Sequence, residues 1–154
     1  MEFIIRGLPV ENYNHMFGMT DAELATHGAK RYVCNAKASF PDRIEMRDAE
    51  IGETLLLINH TSMDKNTPYK ASHAIFVREG ATKTYESRNK IPPMLFDRIL
   101  SLRAFDQAGM MLDAKIATGT EIKTFIAQAW KNENIAHIDA HTATRGCFMG
   151  RIER

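Results

Sequence analysis

Five apolar residues between positions 122 and 130 constrain the fold more than anything else in the chain. Ile122, Phe125, Ile126, Ala129 and Trp130 fall at i, i+3, i+4, i+7 and i+8, which is one stripe on a helix. The spacing predicts a helix over about 120–131, capped by Thr118 or Thr120. Strand-like segments flank it at 110–117 and 134–141. If those strands lie in one sheet and run parallel, the crossover between them is right-handed. The helix then rests on one sheet face with Trp130 inward and largely buried.

The rest of the chain reads mostly as strands. "FIIRGL" (3–8), "RYVCN" (31–35), "ETLLLINH" (53–60), "SHAIFVRE" (72–79), "ILSLRAF" (99–105) and "GMMLDAKIA" (109–117) are rich in strand formers. The continuous apolarity of 53–60 suggests a strand covered on both faces. Short extra helices are expected as well. In "TDAELATHG", Thr20 and Glu23 have capping-box spacing, and Gly28 suits the left-handed residue that ends a helix over 21–27. A short helix can start at Pro93, where a missing amide costs nothing. Most successive strands have short links. The expectation is therefore a single α+β domain over 1–154: a largely antiparallel sheet, one main amphipathic helix packed on it, and minor helices.

Composition excludes some classes of function. The 154 residues are 44% apolar and 25% charged with a net charge of +1, which argues for a globular domain and against disorder. No basic run marks a nucleic-acid surface. The start, "MEFIIRGLPVENY", is neither a signal peptide nor a membrane span, so a cytoplasmic protein without membrane or nucleic-acid partners is expected. Cys34 and Cys147 lack the paired spacing of a structural zinc site, and a disulfide between them is not expected in a reducing compartment. P-loop, GxGxxG, GxSxG and HExxH patterns are absent. Neither a metal nor a cofactor is expected.

The densest chemistry lies in "HIDAHTATRGC", residues 137–147. Along a strand, Ala136, Ile138 and Ala140 share one face while His137, Asp139 and His141 share the other. In "GCFMGRI", Phe148, Gly150 and Ile152 form the apolar set, and Cys147, Met149 and Arg151 oppose it. Matching the apolar sets selects a hairpin with a five-residue loop, Thr142 to Gly146. That register places His141 opposite Cys147, Asp139 opposite Met149 and His137 opposite Arg151. A Cys147–His141 pair could act as nucleophile and base, with Asp139 orienting the ring. His137 and His141 are about 13 Å apart on an extended strand, too far to share one metal ion. The plain alternative is a wet sheet face of polar cross-strand pairs.

Outside the hairpin, Arg103 shares a strand face with Ile99 and Phe105, a setting that can anchor an anion. His60 and His73 flank the long segment "TSMDKNTPYK" and could close a site with Tyr69. His137, Arg151, Arg103, Tyr69 and His73 are therefore the candidate ligand-binding residues, and Cys147, His141 and Asp139 the candidate catalytic ones.

Three stretches carry a family resemblance. They are "KRYVCNAKASFPDRIEMRDAEIGETLLL" from residue 30, "PYKASHAIFVREGA" from residue 68, and the ending "RGCFMGRIER". Together they resemble a bacterial domain-of-unknown-function family, number 1203, from about residue 28 onward. The chain departs from the family pattern twice. Asp42 precedes Arg43 where the family has cysteine, and His73-Ala74 stand where it has glycine-proline. The resemblance implies one small bacterial domain and carries no activity with it. The expected function is a non-catalytic module that binds a small molecule or a protein. The alternative is a small enzyme using Cys147 and His141 on an anionic small molecule.

Overall fold

The computed structural model describes residues 1–154 and divides the strands between two sheets. The first has six strands in the order β7 (Glu86–Arg88), β1 (Ile4–Arg6), β11 (Phe148–Glu153), β10 (Ile135–Thr142), β8 (Leu100–Asp106) and β9 (Met111–Ala117). All its neighbours are antiparallel. The second has five, in the order β2 (Lys30–Val33), β5 (Thr54–Met63), β6 (Ala71–Arg78), β3 (Pro41–Asp42) and β4 (Arg47–Asp48). One of its contacts, Asp42 with Phe76, is parallel. The fold is α+β as expected, but the expected sheet is two sheets.

The apolar stripe becomes α3, Glu121–Ala129, and buries Ile122, Phe125, Ile126 and Ala129. It packs on the face of the six-stranded sheet that carries Leu100, Leu102, Ala104, Ile138, Ala140 and Ile152. Strands β9 and β10 do run parallel, with β8 between them. Two details differ from expectation. Neither threonine side chain caps the helix; the Glu121 carboxylate instead accepts from the Thr118 amide at 3.0 Å. Trp130 is only half-buried, because α3 ends before it and leaves it at the C-cap. There its indole donates to the Glu2 carbonyl at 3.1 Å, with the Arg154 guanidinium 4.7 Å from the ring centroid.

The other minor elements follow their local signals. Helix α1, Asp21–Thr26, has both halves of the Thr20–Glu23 capping box, and Gly28 has φ +66°. Helix α2 is Pro93–Phe96. In β5 only the first half is covered on both faces: Leu55 and Leu56 are buried, while Asn59 is exposed. Asp42 is fully buried and accepts from the amides of Ile44, Glu45 and Arg78 at 3.0, 2.8 and 2.8 Å. It thus holds the turn into β4.

The second face of the six-stranded sheet meets the β5–β6 hairpin. On that hairpin, Leu56, Ile58, Ile75 and Val77 form an inner apolar face with Leu24 of α1, Ile44 and Phe148. The same face continues outward to a directly opposed pair, His60 and His73. The chemistry collects there.

Candidate functional site

Strands β10 and β11 pair as an antiparallel hairpin, but two residues away from the expected register. Ile138 faces Ile152, Asp139 faces Arg151, and His137 faces Glu153. A bulge then places Phe148, and not Cys147, opposite His141. The reason is Met149. It is the extra residue of the bulge and packs into the α3-side core, which turns Phe148 over to the opposite face. Alternation alone assigned Phe148 to the wrong side. His141 Nδ1 donates to the Gly146 carbonyl at 2.9 Å. Cys147 is tied through its amide to Thr142 Oγ1 at 3.1 Å, and its electrostatic neighbour is the buried Arg43. The expected His141–Cys147 and His137–Arg151 pairs are therefore not formed.

What forms instead is a meeting of two cross-strand pairs from different sheets. His60 and His73 on β5 and β6 lie over Phe148 and His141 on β11 and β10. The ring centroids are 5.2 Å apart for His60–Phe148 and 4.9 Å for His73–His141. One row further on, Asp139 is 1% exposed and accepts from Arg151 at 2.7 and 2.9 Å. Arg151 also donates to the carbonyl of Ser62, the bulged residue of β5, at 2.8 Å. This clamp stitches the two sheets together.

Arg103 is the other cross-strand neighbour of Asp139. Both Asp139 oxygens accept from Arg151, and the Arg103 guanidinium has no carboxylate partner. Its one side-chain bond runs from Nε to Ser101 Oγ, 3.2 Å. It lines a cleft of about 230 Å³ with Tyr69, Phe105, Met111, Asp139 and His141. Next to the cleft, His137 stacks on Phe105 at 5.4 Å. Its Nε2 lies 3.7 Å from Asp139 Oδ2, too long for a hydrogen bond, and is buried without a partner. His73 Nδ1 is likewise buried and unpartnered.

Electrostatics favour neutral rings around a fixed cation. Burial pushes His141 down to about 4; the Gly146 carbonyl opposes this and Arg103 adds to it. Burial followed by the Arg103 charge lowers His73, and burial followed by the Arg151 charge lowers His60. Burial pushes the Asp139 carboxyl up, but His137 and Arg151 outweigh it and hold it below its ordinary range. Near neutrality His60, His73 and His141 are therefore uncharged, beside one neutralised Asp139–Arg151 pair and one free guanidinium. No group of three or more His, Cys, Asp or Glu side chains converges to hold a metal ion.

Of the expected site residues, His141, Asp139, His137, Arg151, Arg103, Tyr69 and His73 all come together, and Cys147 alone stands apart. Three separate sequence clusters thus converge on one place. Sequence reasoning missed Phe148, Met111 and Ser62. Bulges at Met149 and Ser62 place two of them, and a bulge leaves no mark in an alternating pattern.

A family model described as "Protein of unknown function (DUF1203)" matches residues 39–154. The chain belongs to this family. The match covers the second sheet's hairpin, α3 and both strands of the β10–β11 hairpin, so every residue of the cleft lies inside it. No curated protein and no solved structure matches the chain. No helix is long and apolar enough to cross a membrane.

Proposed function

We propose that this DUF1203 protein is a non-catalytic module that binds a small anionic molecule in the cleft between its sheets. The observation that carries the reading is Arg103. It is a half-buried cation without a counter-ion, beside a carboxylate whose two oxygens already accept from Arg151. An anion arriving there gains a charge-assisted, two-pronged partner and displaces none. His141 and Ser62 supply further polar groups, and Tyr69, Phe105 and Met111 an apolar wall. The volume is below the roughly 300–1,000 Å³ of pockets for drug-sized ligands. That favours a carboxylate or phosphate compound of few heavy atoms.

The nucleophile–base alternative loses its basis in the register, since His141 faces Phe148. A bacterial, cytoplasmic setting is supported by the family resemblance and by two unpaired thiols, Cys34 and Cys147. The test is calorimetric titration with inorganic phosphate and with acetate, on the protein and on Arg103→Met. Binding that is lost in Arg103→Met is the expected result. Equal binding by both proteins, or none by the parent, overturns the reading.

A further inference from the structure

Strand β9 ends the six-stranded sheet, and its outer side is unpaired over seven residues. It is the longest open edge in the molecule; the others are β7, β2 and β4, with three, four and two residues. Along it Leu112 is 43% and Ile116 56% exposed, and Met110 and Ile99 flank them at 39% and 62%. Long exposed edges with apolar side chains invite pairing with another strand.

The strand's own sequence indicates which strand. "MLDAKIA" is self-complementary about Ala114. Turned antiparallel against a copy of itself, Asp113 stands opposite the copy's Lys115, and Lys115 opposite the copy's Asp113. Ile116 and Leu112, the bulged residue of β9, add apolar surface at each end of the pairing. Neither Asp113 nor Lys115 has an ion-pair partner within the fold, whereas Glu86 on the edge strand β7 is paired with Arg6 of the neighbouring β1. Directly opposed side chains in such a ladder lie about 4.5–5.5 Å apart, and opposite charges there are favourable.

The backbone agrees. The β8–β9 hairpin opens with Asp106 N donating to Met110 O. Bonded and unbonded pairs then alternate along the ladder. Counting past the bulge at Leu112, Arg103–Ala114 is an unbonded pair, so Ala114 turns its N–H and C=O to the open side. Its amide is bonded there by the Asp113 carboxylate at 2.8 Å, as a free outward amide would be. A two-fold axis at Ala114 lets that residue exchange both backbone bonds with its copy.

We infer that β9 pairs with β9 of a second copy, joining two six-stranded sheets into one through a two-fold axis at Ala114. Lysines and bulges also serve to blunt edges in monomers. Here the blunting charge has its opposite at the mirror position, which a purely protective pattern does not require. A single strand pair with four charged and four apolar partners makes a small interface, so the dimer is weak, dissociating in the micromolar range. This surface is separate from the cleft and does not depend on its reading.

Sedimentation velocity over a concentration series tests the inference. The parent should shift from monomer to dimer across micromolar concentrations. Asp113→Lys and Lys115→Asp should each weaken dimerisation about tenfold or more, because each sets like charges face to face twice. The double swap D113K/K115D should restore it, and mixing the two single variants should yield a heterodimer. Circular dichroism of each variant checks that it is folded. A parent that stays monomeric at hundreds of micromolar overturns the inference. So does a dimer indifferent to both charge reversals.

Discussion

Asp139 and Arg151 are directly opposed cross-strand partners whose side chains meet through two bonds, 2.7 and 2.9 Å long, while Arg151 reaches on to the Ser62 carbonyl of the other sheet. One guanidinium thus neutralises a buried carboxylate and holds two sheets at a fixed separation. Removing it leaves Asp139 buried and partly uncompensated. Breaking a buried pair costs about 3–5 kcal/mol; the Arg151 side chain is 34% exposed, which puts Arg151→Met nearer about 2–3 kcal/mol. Urea unfolding measures this. A loss under 1 kcal/mol would mean that Arg103 turns to take over the carboxylate.

Protonation of His141 should oppose folding. An unfolded histidine titrates near 6.5, and His141 in the fold near about 4. Between these values the unfolded chain takes up a proton that the folded chain refuses. Its contribution is complete above about pH 6.5 and is lost as pH falls toward about 4, amounting to as much as about 3 kcal/mol. His60 and His73 are shifted in the same direction. His141→Asn should therefore reduce the fall in stability between about pH 7 and about pH 4.5 without abolishing it. Identical pH profiles for variant and parent would refute the assignment.

Arg103 holds the neighbouring rings down by its charge. Arg103→Met should raise the titration midpoints of both His73 and His141, as followed by imidazole NMR shifts. Since Arg103 has no ion pair to lose, the cost in stability should be about 1 kcal/mol or less. Unmoved midpoints would show that the guanidinium points away from the cleft in solution.

Two glycines separate rigid from yielding contacts. A Cβ on Gly7 would lie 1.9 Å from the Ile44 carbonyl oxygen, and the chain there is pinned by Gly7 N to Tyr85 O and Leu8 N to Arg43 O. A Cβ on Gly150 would meet only the tip of Met46, Cε at 2.8 Å. Gly7→Ala should cost about 3 kcal/mol or more and Gly150→Ala about 1 kcal/mol, because backbone cannot step aside and a methionine end can. Thermal unfolding of the two variants compares them directly. Equal losses would contradict the packing.

Elements with a local cause were legible from the sequence. The Thr20–Glu23 box, the Pro93 start and the stripe from Ile122 to Ala129 each rest on residues a few positions apart. The site was legible only as parts. His73 and Tyr69, Arg103, and the 137–151 hairpin each stood out by composition, yet nothing local says that they meet. Their meeting depends on the order of strands in two sheets, which is set by contacts between distant residues. The register failed for a sharper reason. Matching apolar faces cannot separate registers two residues apart, since Ile138 with Ile152 satisfies it as well as the expected pairing, and one inserted residue, Met149, then turns Phe148 over. The second sheet went unseen although β2, β5 and β6 were read as strands, because nothing local says which sheet a strand joins; β3 and β4, two residues each, are too short for a period to show.

Strand β1 lies between β7 and β11, and Ile5 meets Ser87 on one side and Ile152 on the other. Both partners come far later in the chain. During synthesis Phe3 and Ile5, fully buried in the finished fold, leave the ribosome early with neither neighbour yet made. The six-stranded sheet cannot close over them until residues 148–153 have emerged. A segment made well before its partners is therefore among the last to settle, and until they emerge it is a short apolar strand open to whatever else binds exposed edges.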